Sequence, residues 1–359
     1  MNNRSYLAIK HEKKNYDDIH DLRKIFDGAN NTSRRSHEHS YFNWKLNLNP
    51  VKKGICAIVE SEKKTVGMAS ITPKKMLFQN KIFLTAEIGD TFTHPDFQRK
   101  GIFSQVVNKV RSISENENID FIYGTPNQNS LPGYKKKLNY DVLKSVDVKN
   151  FVYPINFSHI LQQKIKSNFI ISPLSFILKQ LLEFKNYCFK PKLSNNIFFE
   201  EIERFPKIID SLFDELNLSY DVVTSRNSEY LNWRFITNPD KYVCFLAKNG
   251  DKIIGYIVLK RGTWSELSVG YIADIFVFDN NEVNYFKYLI NFATTYFKNN
   301  KYDMISIWLQ SGPLSKILKK HGYLSFKDVP IICYKNEVGN KFLNGNYSWY
   351  FTMADSDNI

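Results

Sequence analysis

The sequence predicts an α/β chain made of two tandem copies of one fold, joined by an insert. Three observations carry this. First, nearly the same decapeptide occurs twice, as YFNWKLNLNP at Tyr41–Pro50 and YLNWRFITNP at Tyr230–Pro239, 189 residues apart. Tyr, Asn, Trp, a cation, Asn and Pro recur in it at identical offsets. Second, the surroundings repeat: Gly67 follows Cys56 by eleven residues, as Gly255 follows Cys244, and EIGDTFT (Glu87–Thr93) returns as YIADIFV (Tyr271–Val277). Third, Tyr140 lies 50 residues after Asp90 and Tyr323 lies 49 after Asp274, so the repeating unit is a domain of roughly 150 residues, not a short solenoid unit. The expected organisation is a first copy at 1–150, a helical insert at 151–198 and a second copy with its tail at 199–359.

In the first copy, Ile19, Leu22, Ile25 and Phe26 share one helical face, which predicts an opening helix at Tyr16–Asp27. Strand patterns follow near Cys56–Glu60, Gly67–Thr72 and Phe83–Thr93. Ile102, Val106, Val107 and Val110 define a helix from Gly101 to Glu115; a short apolar strand at Phe121–Thr125 and a helix near Ser130–Lys137 complete the unit. The insert holds FSHILQQKI and PLSFILKQLLEF, amphipathic at helical spacing. Its lysines and phenylalanines allow a membrane-surface reading; helices packed between the two copies are the favoured one. In each decapeptide, Trp44 or Trp233 reads as core and Asn-Pro as a turn. The tail, NYSWYFTMADSDNI, combines strand-like aromatics with two aspartates.

Composition narrows the class. With 43% hydrophobic and 15% aromatic residues, the chain has material for two cores. The N-terminal segment shows no signal-peptide pattern, and no run of 18 apolar residues occurs, so a cytoplasmic protein without a membrane span is expected. Cys56, Cys188, Cys244 and Cys333 lie far apart without CxxC spacing, which points to neither a metal site nor a disulfide scaffold. The net charge of +13 comes from 49 cations of which 10 are Arg, spread along the chain. It reads as the lysine bias of an AT-rich genome rather than a nucleic-acid stripe, and leaves a small anionic ligand compatible.

The stretch that carries chemistry is EIGDTFTHPDFQRKGIFSQVVNKV (Glu87–Val110). A strand ends at His94-Pro95, and Gln98-Arg99-Lys100-Gly101 sits where a helix begins. Unpaired N–H groups at a helix start, with the macrodipole behind them, bind phosphate. Gly101 permits close approach, and Arg99 and Lys100 add charge.

This stretch resembles the pyrophosphate loop of the GNAT acetyltransferase superfamily, whose signature is Gln/Arg-x-x-Gly-x-Gly/Ala. Gln98 and Gly101 match; Phe103 departs, standing where a small residue is usual, so its side chain must turn into the core. NQNSLPGYKKKLNY resembles the family's next segment through Asn127 and Tyr134, with Asn139-Tyr140 replacing the usual Gly-Phe. The second copy keeps the scaffold but has no such loop after Phe276, and Ile317 stands in the place of Tyr134. The chain is similar to tandem GNAT proteins, among them sugar N-acetyltransferases of surface-polysaccharide pathways. The resemblance implies two mixed, largely antiparallel sheets flanked by helices, with acetyl-CoA as cosubstrate and no metal.

By the same resemblance, Gln98, Arg99, Lys100, Gly101, Ile102, Phe103 and Ser104 would hold the pyrophosphate. Asn127 and Ser130 would meet the pantetheine arm, with the main chain of Phe92 and Thr93 aligned beside it. Tyr134 would protonate the departing thiolate. Glu87 is the expected base; Asp90 is the second candidate, on the opposite strand face by alternation and matched by Asp274 in the copy without a loop. His94 reads as a solvated loop residue. Trp349, Asp355 and Asp357 of the tail are candidates for the acceptor site, against a frayed edge strand. The expected reaction is acetyl transfer to the amine of a nucleotide-linked amino sugar. A peptidoglycan-bridge aminoacyl transferase, or acetylation of an antibiotic, polyamine or protein amine, is the alternative.

Overall fold

The structure, a computed structural model, describes residues 6–12, 16–30, 39–79, 81–119, 121–189, 196–216 and 219–357. The first copy runs β1 (Ala8–Lys10), α1 (Asp17–Asn30), α2 (Ser40–Asn47), β2 (Ile55–Ser61), β3 (Lys64–Phe78), β4 (Lys81–Thr93), α3 (Ile102–Asn116), β5 (Phe121–Gly124), α4 (Leu131–Lys137) and β6 (Tyr140–Val142). The first copy ends with β7 (Val148–Pro154), and a connector follows, made of α5 (Phe157–Gln162) and α6 (Asn168–Phe189). The second copy opens with β8 (Ile197–Ile202), α7 (Ile208–Asp214), β9 (Val222–Thr224) and α8 (Ser228–Leu231). It continues with β10 (Tyr242–Asn249), β11 (Lys252–Trp264), β12 (Leu267–Val277), α9 (Glu282–Asn299), β13 (Met304–Gln310), α10 (Pro313–Lys320) and β14 (Leu324–Asp328). The chain then adds β15 (Ile332–Tyr334), α11 (Glu337–Asn344) and β16 (Trp349–Tyr350).

The two copies exchange strands. One sheet has the order β1-β2-β3-β4-β5-β15-β6, and the other β14-β7-β13-β12-β11-β10-β8. Thus β15, from the end of the second copy, fills the gap between β5 and β6 of the first, pairing Ile332 with Gly124 on one side and Val142 on the other. Reciprocally, β7 fills the gap between β13 and β14. The expected boundary at residue 150 falls inside β7, which belongs to the second sheet. The connector is also not wedged between the copies: α6 packs against α10, with Leu182 on the core, and turns another face outward.

The decapeptide marks the seam. Trp44 and Trp233 stack with ring centroids 4.8 Å apart at 15°. Trp44 Nε1 donates to the Trp233 carbonyl (2.8 Å) and Trp233 Nε1 to the Trp44 carbonyl (3.1 Å). The repeated Trp is therefore one half of a pseudo-twofold contact. Each Asn-Pro turn also repeats: Asn49 Oδ1 accepts from Val51 N, and Asn238 Oδ1 from Asp240 N.

Because each sheet contains a strand of the other copy, calorimetry of the intact chain is expected to give a single cooperative transition. Two separated transitions would show that the copies fold independently. Trp44→Phe keeps the stack but removes the indole donor to the Trp233 carbonyl, which retains the Thr237 hydroxyl at 3.2 Å; urea unfolding should show a loss of about 0.5–1.5 kcal/mol.

Candidate active site

The candidate phosphate cradle lies at the β4–α3 junction. The helix forms because Ile102, Val106, Val107 and Val110 bury on the sheet. Its N-cap is Gly101, at φ 81°, and Arg99 also lies in the left-handed region at φ 62°. Gln98, Arg99, Lys100 and Gly101 are exposed, and a Cβ at Gly101 would meet nothing within 4 Å. The N–H groups of the first turn, Ile102 to Ser104, have no partner within the helix by geometry, so they face this open cradle. Lys100 Nζ lies over the Phe97 ring at 4.6 Å. Phe103 turns inward onto Tyr134, edge to face at 5.2 Å; Gly133 makes room, since a Cβ there would come within 2.9 Å of the ring. The departure at Phe103 is thus compensated across the helix pair, and the residues fit a pyrophosphate.

Next to the cradle the sheet splits. β4 and β5 pair in parallel only from Thr85–Phe121 to Glu87–Tyr123, leaving one edge of β4 from Ile88 to Thr93 unpaired by β5. Phe92 and Thr93 stand on that edge, where an extended ligand can align. The Tyr134 hydroxyl enters the split, 3.2 Å from Thr91 Oγ1. Burial raises the Tyr134 phenol to about 12 against that hydrogen bond, so it stays protonated and able to donate across the neutral range. Asn127 plays a local part: its Oδ1 accepts from the N–H groups of Asn129 and Ser130 and from Ser130 Oγ, fixing the start of α4. His94 Nδ1 accepts from Asp96 N and caps the turn Pro95–Phe97.

At the apex of the split lies Glu87, 1% exposed. Lys74 Nζ donates to its Oε2 at 2.7 Å, and Asp357 N donates to its Oε1 at 3.0 Å. Burial raises the Glu87 carboxyl, Asp357 raises it further and Lys74 opposes both; the balance is about 7. Such a group is divided between acid and carboxylate near neutral pH, the condition a general base needs.

Strand alternation placed Asp90 on the face opposite Glu87; the structure corrects this. Met68 pairs with Phe92 but Ser70 with Gly89, so β4 carries a bulge, with Asp90 at φ 45°. The extra residue resets the phase. Asp90 accepts from Lys45 Nζ and from Tyr41 at 3.3 Å, and Lys45 also pairs with Asp357. Burial alone would lower the Lys45 ammonium, but Asp357 and Asp90 hold it above its ordinary value. Asp90 therefore positions Lys45, and through it the tail.

The tail is no frayed edge. Trp349 is a core residue, 1% exposed, on a strand paired with β9, and Asp355 pairs with Arg226 at 3.0 Å; neither faces an open cleft. From there the chain crosses the first sheet. Lys74 and Tyr123 donate to the Asp355 carbonyl, Ser356 Oγ lies 2.6 Å from Thr125 Oγ1, and Arg234 donates to the carbonyls of Ala354 and Ser356. Of the three tail candidates, Asp357 is the one brought to Glu87. Sequence reasoning missed Lys45, Lys74, Arg226 and Arg234. The cation shared by both decapeptides was the available signal for Lys45 and Arg234; nothing local singled out Lys74.

Strand registers equate the two sheets residue by residue. Thr72–Glu87 pairing corresponds to Lys260–Tyr271, and Glu87–Tyr123 to Tyr271–Ser306. Tyr271 therefore stands in the place of Glu87, and Gly262 in that of Lys74. In the first copy this face is covered by the tail. In the second it is hollow: a cavity of about 920 Å³ opens there, lined by Lys260, Gly262, Tyr271, Ser306 and Trp308, with Met353 of the tail in its wall. Among the described residues, no cluster of His, Cys, Asp and Glu could hold a metal ion.

The model of the acetyltransferase (GNAT) domain matches residues 12–143. No curated protein matches the chain significantly. Among solved structures, a conserved protein from Enterococcus faecalis described as a probable N-acyltransferase is 11% identical, with a TM-score of 0.60 over 92% of this chain and 72% of that one. A GCN5-related N-acetyltransferase from Anabaena variabilis is 15% identical (TM-score 0.58, 92% and 72%). The N-myristoyltransferase of Saccharomyces cerevisiae, solved with myristoyl-CoA, is 13% identical (TM-score 0.62, 92% and 83%). At these identities the likeness is one of fold, and it extends over both copies.

The loop occurs in one copy, so titration calorimetry is expected to give one CoA per chain; two comparable sites would contradict the hollow reading of the second copy. Gly101→Val fills the cradle and strains a left-handed position. It should weaken CoA binding about tenfold or more, on the scale of ~1.4 kcal/mol per tenfold.

Proposed function

We propose that this chain is an acyl-CoA-dependent GNAT N-acyltransferase and that it transfers an acetyl group to the amine of a nucleotide-linked amino sugar. The observation that carries the proposal is the placement of Glu87, held near pH 7 by burial, Asp357 and Lys74, at the apex of the strand split beside the cradle. Acetyl-CoA supplies an activated acyl group as its thioester. Glu87 takes the proton that the attacking amine must lose, and Tyr134 gives one to the departing sulfur. Lys74 and Asp357 set the basicity of Glu87 in opposite senses. Asp90 and Lys45 keep Asp357 in place.

The acceptor class rests on the hollow of the second copy. Its volume suits a ligand of nucleotide size. Tyr242, Trp264 and Phe326 offer faces for a base or a sugar ring, and Lys241 and Arg261 offer charge for a diphosphate. The tail leads from Met353 in the cavity wall to Asp357 at Glu87, at most ~14 Å of extended chain. Against an aminoacyl transferase of the peptidoglycan-bridge type stands the open phosphate cradle, which that chemistry does not need.

The test is thiol release from acetyl-CoA with a panel of amino sugars, free and nucleotide-linked. The nucleotide-linked acceptors should give the higher kcat/KM. Equal values for free amino sugars, or turnover confined to polyamines or peptides, would sink the acceptor assignment while leaving the transferase intact.

The acid–base roles are read from pH profiles. A base must be ionised, so kcat/KM should fall as pH drops through about 7. Glu87→Gln should flatten that limb and lower the plateau about 10²-fold. Asp357→Asn removes a charge that raises Glu87, so the limb should move to lower pH. Tyr134→Phe should lower kcat with CoA affinity unchanged. An unshifted limb in Asp357→Asn together with full activity in Glu87→Gln would remove Glu87 as the base.

A further inference from the structure

Of the seventeen large hydrophobic residues exposed among the described residues, six lie on the single helix α6: Phe169, Ile170, Phe176, Ile177, Leu181 and Phe184. Phe169 is 90% exposed and Phe184 70%. With 3.6 residues per turn, over residues 169–184 these six and Pro173 fall in one arc of about 140° that holds one other residue, Gln180. The opposite side of the helix, with Ile171, Ser175 and Leu182, docks on the protein. Lys179, paired with Glu183 at 3.9 Å, borders the outward stripe on one side, and Lys185 borders it on the other. The helix is thus apolar on two faces, and one of them has no cover among the described residues. Contiguous apolar surface of this kind marks an interaction site.

Charge says what covers it. From Lys164 to Lys192 the sequence holds six lysines against one acid, Glu183. An apolar stripe bordered by lysines matches a surface that is greasy within and anionic at its rim. No helix among the described residues is long and apolar enough to cross a membrane, and the docked face keeps α6 against the protein, so the helix can only lie along such a surface. From Phe169 to Phe184 the stripe runs about 23 Å along the helix.

We propose that α6 is a membrane-surface docking element. Its phenylalanine stripe enters the headgroup boundary of an anionic bilayer, and the flanking lysines meet the lipid phosphates. The inference is independent of the acceptor assignment.

The experiment is co-sedimentation of the full chain with vesicles of phosphatidylcholine alone and of phosphatidylcholine mixed equally with phosphatidylglycerol. The chain should pellet with the anionic vesicles and about tenfold less well with the neutral ones, and salt should weaken the binding. F169S/F176S/F184S should reduce it by about tenfold or more while thiol release stays unchanged. K164E/K166E/K179E, which leaves the apolar face and the docked face intact, should also reduce it. A chain that stays in the supernatant with both vesicle types overturns the proposal. So does a concentration-dependent dimer in sedimentation velocity that F169S/F176S/F184S abolishes without any vesicle binding, which would make a second copy of the chain the cover.

Discussion

Two strands, β7 and β15, hold the molecule in its form. A strand gap inside a sheet leaves two rows of backbone N–H and C=O groups without partners, and burying such groups unpaired is costly. Each copy leaves that gap, between β5 and β6 and between β13 and β14, and each is closed by the other copy's strand. The exchange forces the two sheets into a near-twofold relation. It brings the decapeptides face to face, so that Trp44 and Trp233 stack and satisfy each other's carbonyls. It also delivers the chain after β15 to the first sheet, from which the tail reaches Glu87.

A tail that packs on the buried Glu87 carboxylate has to bury charge. Lys45, Lys74, Arg226 and Arg234 are all buried, and each meets a carboxylate or a tail carbonyl: Asp90 and Asp357, Glu87 and the Asp355 carbonyl, Asp274 and Asp355, and the carbonyls of Ala354 and Ser356. Buried ion pairs of this sort contribute little net stability against apolar packing, and breaking one partner away is strongly destabilising. What they supply is placement. The network fixes Asp357 N on Glu87 and keeps Glu87 poised between a cation that favours its ionised form and a carboxylate that opposes it.

The duplication divides labour. In the first copy the sheet face opposite the helix carries Glu87 and Lys74 under the tail; in the second the same register positions are Tyr271 and Gly262, and the face stands open as a cavity. The Gln98–Gly101 loop and Glu87 are both without a counterpart in the second copy. What it retains is a scaffold, a strand for its neighbour and a hollow next to the tail.

The sequence by itself determined the local structure. Periodicity located α1 and α3, strand patterns located β2, β3 and β4, the offsets of Trp, Gly and Asp revealed the duplication, and Gln98–Gly101 before an amphipathic run marked the candidate cradle. These signals are short-range, because helix starts, strand alternation and turn chemistry are written within a few residues. Tertiary structure decided the rest. Val148–Pro154 and Ile332–Tyr334 carry no strand expectation in the sequence reading, and nothing in a strand names its partner across the chain. The bulge at Asp90 turned a residue of the wrong face toward the site, and no alternation rule contains an inserted residue. Lys74 looks like any strand lysine, and Trp349 like any terminal aromatic. Only folding buried the one beside Glu87 and the other in the core, where the desolvation of a charge and the burial of a ring give each its role.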